Sequence, residues 1–192
     1  MIVDTPELSS ATGHVAAMYR EDLDADGRVY AHTRAMAVNP EAHEAFEALL
    51  GAITPSIGLR TYELATLGAA RAIGSPHCLL AHGRKTLRAG LVDEEQLDRL
   101  ARDYTDADLS EADVAVMAFA ERVSVDPRSM TDADSRRLRE LGFSDRQIVD
   151  IALAAAARNF LSRALLALAV PVDEVPGLTP ALVDALLSPL ER

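Results

Sequence analysis

The chain is punctuated for helices along its whole length. At Asn39-Pro40, Ser75-Pro76 and Thr179-Pro180 a cap-type residue is followed at once by proline just ahead of an apolar-periodic stretch. A short polar side chain at such a position can serve the free N–H groups of a helix start. Proline suits the next position because the N–H it lacks would have no partner there. Glycines at 74, 90 and 142 close apolar-periodic stretches where a left-handed residue ends a helix. No stretch alternates apolar and polar residues with the period of a strand. Aromatics make up 4% of the 192 residues and tryptophan is absent, a composition that suits close-packed helices better than a β-sandwich. One all-α domain is the expectation, since this length supports one sizeable core.

Within it, helices are expected around Ser10 to Asp24, around Arg28 to Val38, and from Pro40 through Phe46 and Leu50 to a turn at Thr54-Pro55-Ser56. Further helices are expected from about Leu59 to Ile73, from Pro76 to about Ala89, after Ser110, after Thr131 and after Thr179. Leu87 to Leu97 echoes Leu138 to Ile148: a helix end, a glycine, an apolar residue, a cap, and a glutamine three positions on. Asp93…Gln96 and Ser144…Gln147 both read as capping boxes, so two corners of similar geometry are predicted.

Net charge is −11 with no basic run, which argues against nucleic acid or an anionic membrane as partner. A single cysteine allows no internal disulfide, and the first residues lack the basic and apolar regions of a signal peptide; both point to a cytoplasmic protein. Ile151 to Val170 is Ala-rich and apolar, but Arg158 and Arg163 interrupt it and would be costly in lipid. A central buried helix or a subunit contact fits it better, so a homo-oligomer is expected.

The chemistry concentrates at Ser75-Pro76-His77-Cys78-Leu79-Leu80-Ala81-His82. With Ser75 as the cap, Cys78 falls in the first helical turn, where free N–H groups and the helix dipole favour a thiolate. His82 follows one turn later on the same face. Glu63 lies on the preceding helix, across the Gly74 corner, where a carboxylate can fix the ring's tautomer. Taken singly, each has a plain structural account: a surface acid, a satisfied buried histidine, a small buried thiol. Their joint spacing is what points to an activated nucleophile. Glu63, His77, Cys78 and His82 are also zinc-type ligands, yet His77 points about 100° from Cys78 around the helix, so no metal or other cofactor is expected.

Glu63 followed by Ser75-Pro76-His77-Cys78-Leu79-Leu80-Ala81-His82 resembles the redox motif of the alkylhydroperoxidase D-like members of the carboxymuconolactone decarboxylase superfamily. Their pattern is a glutamate, Cys-x-x-Cys, three residues and a histidine. Leu59-Arg60-Thr61-Tyr62-Glu63-Leu64, Ala89-Gly90-Leu91 and the pair Asn159…Arg163 are similar to flanking features of that family. The resemblance spans about 28–170, leaving 1–27 as a helical extension and 171–192 as a tail with a short helix. It implies an all-α bundle assembled as trimers or hexamers. It also implies that Cys78 attacks a peroxide and that His82 and Glu63 relay its proton; His77 matches a histidine preceding the cysteine in some members. Ser75 stands where two-cysteine members carry the partner thiol, so an external thiol reductant or Cys78 of another subunit would have to resolve the oxidised sulfur. The superfamily also contains lyases acting on lactone acids. There, His77 or His82 would serve as acid–base and Arg60 or Arg163 would bind a carboxylate. A non-enzymatic oligomer that binds a small organic ligand is the third class.

Overall fold

The computed structural model describes residues 1–191, and all its regular elements are helical. They are α1 (Gly13–Asp26), α2 (Ala31–Met36), α3 (Pro40–Ile73), α4 (Pro76–Arg88), α5 (Glu94–Asp103), α6 (Glu111–Val125), α7 (Asp132–Glu140), α8 (Asp145–Ala167) and α9 (Pro180–Leu187), with four short 3-10 turns before, between or after them. No helix among the described residues is long and apolar enough to cross a membrane.

The second half of α3 is the axis of the bundle. Every residue from Tyr62 to Ala70 is buried, so this segment has no solvent face. It packs chiefly against α8 and α6, with α4 alongside. The facing residues are small: Ala154, Ala155 and Ala157 of α8 are buried. A Cβ added at Gly68 would lie 2.7 Å from the Met117 carbonyl oxygen of α6. Small residues let the axes approach closely, and the alanines of α8 belong to that packing. Its other flank, Val149, Leu153 and Phe160, stays exposed.

The cap-proline pairs open helices as the sequence predicts. Asn39 Oδ1 accepts the Ala42 N–H at 3.0 Å, and Thr179 Oγ1 accepts that of Leu182 at 3.3 Å. Gly74 adopts φ 74°, and the N–H groups of Gly74 and Ser75 both reach the Ala70 carbonyl, closing α3 against α4 in a tight corner. The two echoing corners share one closure. Leu91 N–H donates to Thr86 and Phe143 N–H to Leu138, in each case five residues back.

Two expectations change. The break in α3 falls at Gly58 (φ 76°, ψ 159°) and not at Thr54-Pro55-Ser56. Thr54 and Ser56 return their hydroxyls to the Leu50 and Ile53 carbonyls, which carries helical geometry past the proline until glycine releases it. The Asp93 box is only half made: Asp93 accepts the Gln96 N–H, but the Gln96 side chain donates to the Ala107 and Asp108 carbonyls. Ser144…Gln147 is reciprocal. The short helix expected in the C-terminal tail is α9, and its Leu182, Ala185 and Leu186 belong to the main core.

Two glycines of α3 give opposite expectations. Gly68→Ala forces a methyl against backbone and should cost about 1–3 kcal/mol. Gly51→Ala meets nothing within 4 Å and should gain about 0.5–1 kcal/mol. Denaturant unfolding of both variants measures the difference; equal stabilities would contradict the close crossing of α3 and α6.

Candidate functional site

The tight Gly74 corner lays α4 beside the buried half of α3 and brings Glu63 and His82 together. His82 Nδ1 lies 2.6 Å from Glu63 Oε2, and both side chains are buried. Burial, then the nearby Arg158 charge, pushes the His82 pKa down to about 3, against the pull of Glu63. For Glu63, burial acts upward, but the His82 ring, with Lys85 and Arg158, outweighs it and holds the carboxyl below its usual range. The pair is therefore a neutral ring with Nδ1–H donating to an ionised carboxylate, which leaves Nε2 with a free lone pair.

Cys78 is 2% exposed. Its sulfur takes two donors from α8: Ser162 Oγ at 3.1 Å and Arg158 Nη1 at 3.4 Å. Arg158 is buried, its Nη2 donates to the Tyr62 hydroxyl at 3.4 Å, and its Nε has no partner. No carboxylate pairs with it within salt-bridge distance among the described residues. Burial acts to lower the guanidinium pKa, but the sulfur and the Tyr62 oxygen outweigh burial and raise it. The sequence reading singles out neither Arg158 nor Ser162 as a sulfur partner. The signal is the buried stripe Ile151, Ala154, Ala155, Arg158, Ser162 and Leu165, which places one charge on the core side of an alanine-rich helix.

The remaining candidates fall as follows. Ser75 is fully buried and holds the backbone position of the cap, its carbonyl accepting Leu79 N–H. Its hydroxyl makes no capping bond and has no hydrogen-bond partner, so the capping bond expected of it is not formed. His77 Nε2–H donates to the Pro171 carbonyl at 3.0 Å and Nδ1 is buried without a partner. With His77 tied to Pro171 and His82 to Glu63, the four zinc-type side chains do not converge as a ligand set. Arg60 is paired with Asp113 and Arg163 with Asn159 and the Ser124 carbonyl, so neither is free for a substrate carboxylate. The late Asn/Arg pair acts within the helix packing, one residue away from the side chains that reach the sulfur.

Cys78, His82, Arg158, Tyr62 and His77 share a cavity of about 350 Å³. Met18, Asp22 and Asp26 of α1, with Asp173 and Val175 of the segment before α9, form its outer wall. That wall is fastened by Arg84, which pairs with Asp26 at 2.5 Å and donates to the Tyr30 hydroxyl at 3.1 Å, and by Asp173, which accepts the Ala31 N–H at 2.7 Å. His32 also lines the cavity, its pKa pushed by burial down to about 4.

Two histidines held neutral give a stability signature. Unfolded, both take up a proton as pH falls through about 6.5; folded, they resist until about 4 (His32) and about 3 (His82). The unfolded state thus binds more protons across that window, so stability is full above it and falls with acidification. Thermal unfolding from pH 7 to pH 5 should show a steadily decreasing Tm. A flat profile would contradict the buried neutral rings.

Residues 40–122 match the family model described as the carboxymuconolactone decarboxylase family. No curated protein matches the chain. Among solved structures, the chain is similar to an uncharacterized peroxidase-related protein with an alkylhydroperoxidase AhpD core from Ralstonia eutropha JMP134: 24% identity, TM-score 0.78, covering 90% of this chain and 92% of the other. It is similar to the debrominase Bmp8, solved as a cysteine-to-alanine variant in complex with 2,3,4-tribromopyrrole: 20% identity, TM-score 0.73, 96% of each chain. It is also similar to a protein of unknown function from Agrobacterium tumefaciens described as a putative antioxidant defence protein AhpD: 25% identity, TM-score 0.62, 72% of this chain and 96% of the other. The family model thus matches the segment that carries Glu63, Cys78 and His82, and the helical fold over nine-tenths of the chain is shared with peroxidase-related proteins of the AhpD-core type.

Proposed function

We propose that the protein is a thiol-dependent hydroperoxidase-type oxidoreductase that works through Cys78 and has no second thiol of its own. The convergence of Arg158 and Ser162 on the Cys78 sulfur carries this reading, with His82, bonded to Glu63, one turn further along α4 and lining the same cavity. With thiol and ring both neutral, the Glu63 and Arg158 charges cancel. Moving the thiol proton to His82 Nε2, through one water, keeps the sum at zero: thiolate faces guanidinium and imidazolium faces carboxylate. Each new charge forms beside its opposite, so burial does not oppose the transfer as it opposes a lone charge.

The thiolate then attacks the hydroperoxide. An S–O bond forms as O–O breaks, the sulfur is oxidised, and the departing oxygen takes the proton from His82 and leaves as alcohol or water. Cys78 becomes a sulfenic acid. An external thiol attacks that sulfur with release of water, and a second thiol displaces the mixed disulfide and restores Cys78. Cys78 of another subunit is the alternative resolving thiol. Self-association through Val149, Leu153 and Phe160 belongs to the same reading, and light scattering of the purified protein would report it.

Rapid mixing with an organic hydroperoxide and a sulfenate trap, read by mass spectrometry, should label Cys78 stoichiometrically near neutral pH. A folded protein whose Cys78 stays unmodified sinks the proposal. Arg158→Met removes a charge-assisted bond to the sulfur and should slow labelling roughly 10- to 100-fold. Glu63→Gln, which leaves His82 without its anion, should slow it about 100-fold or more. Unchanged rates would remove the corresponding group from the mechanism.

The cavity favours a second reading in which the substrate is bulkier than hydrogen peroxide. Its volume and the apolar side chains of Met18, Phe46 and Leu161 fit a small organic molecule. Removal of bromine from a halogenated ring, as the name of the similar debrominase suggests, would lose bromide release in Cys78→Ser if Cys78 carries the reaction. A lyase reaction on a lactone acid, with His82 as acid–base, would survive that substitution.

A further inference from the structure

We propose that His14, His43 and Glu47 form a binding site for a divalent metal ion of the zinc class, which clamps α1 to the start of α3. The three side chains come from two helices: His14 from the beginning of α1, His43 from the first turn of α3, and Glu47 one turn beyond it. His14 Nε2 lies 3.3 Å from His43 Nδ1, and His43 Nδ1 lies 3.6 Å from Glu47 Oε2. All three donor atoms are within 4.8 Å of one another. Two nitrogens bound tetrahedrally to zinc at about 2.0–2.1 Å sit about 3.3–3.4 Å apart, so the histidine spacing is already that of a bound pair.

Hydrogen bonding alone serves this cluster poorly. The His43 Nδ1–H can donate to His14 or to Glu47, and one proton cannot satisfy both acceptors at these distances. A cation in the centre engages one lone pair from each. Two imidazole nitrogens and one carboxylate oxygen suit zinc, cobalt or nickel better than calcium or magnesium, which take oxygen sets. The Glu47 side chain is half exposed, so water has access to complete the coordination.

The position gives the ion a structural consequence. The buried residues of α1, Met18 and Tyr19, form only a small separate cluster with Ala37, apart from the main core. Yet α1 supplies the outer wall of the cavity through Met18, Asp22 and Asp26, and His43 and Glu47 line the same cavity. Metal binding would fix that wall in place. It involves neither Cys78 nor Glu63, so it stands or falls separately from the thiol chemistry.

The test uses the full chain stripped with a chelator, dialysed and titrated with zinc by calorimetry and with cobalt by visible absorption. The expected result is one ion per chain, a cobalt spectrum of tetrahedral type with no thiolate charge-transfer band, and slower hydrogen exchange in α1 on zinc addition. His14→Ala and Glu47→Gln, both at accessible positions, should each weaken binding at least about tenfold, whereas Cys78→Ser should bind as the parent does. No stoichiometric uptake, undiminished affinity in both ligand variants, or a sulfur-ligated spectrum that vanishes in Cys78→Ser would each overturn the site.

Discussion

A positive charge is sealed inside this bundle with sulfur and a phenol as its immediate company, and the surrounding site is arranged around that fact. Arg158 projects from an alanine-rich helix into the core, and its guanidinium touches the Cys78 sulfur and the Tyr62 hydroxyl. An unpaired buried charge costs several kcal/mol. Here its electrostatic counterweight is Glu63, on the opposite side of the same cluster, whose carboxylate is bonded to His82. The negative and positive charges of the site are thus held apart by a histidine and a cysteine. Under the proposed proton transfer between those two residues, that separation places an opposite charge beside each new one.

The bundle makes this arrangement possible through small side chains. A fully buried helical segment such as Tyr62 to Ala70 needs neighbours on all sides, and alanines on α8 with Gly68 against α6 permit them. The same close packing sets the register in which Tyr62 and Glu63 of α3, Cys78 and His82 of α4, and Arg158 and Ser162 of α8 meet. Geometry at the site is therefore a property of helix packing more than of any loop, which favours precision.

Most of what was legible in the sequence was local. Helix starts at Pro40, Pro76 and Pro180, the Gly74 corner, and the shared closure at Gly90 and Gly142 all follow from cap chemistry and backbone sterics within a few residues. The neighbourhood of Glu63 and His82 was legible for the same reason, because a two-helix corner brings those positions together. The sulfur's partners were not, since Arg158 and Ser162 lie some eighty residues away and meet Cys78 only through the packing of α8. Ser75 shows the reverse failure: its type and place predict a capping bond, yet a fully enclosed hydroxyl is left without one. At Gly58 the competition between a proline and two back-bonding hydroxyls was resolved by the only residue able to adopt the required φ.

The hydroxyl at position 75 has a further bearing on the proposed chemistry. In the two-cysteine pattern that the motif resembles, a partner thiol stands at this position and could take up an oxidised sulfur internally. This chain holds oxygen where that atom would be, so the oxidant and then the reductant must come to the same recessed sulfur through the same cavity. Under the proposed chemistry, the dimensions of that one cavity would bear on both steps, the entry of the oxidant and the approach of the thiol that follows it.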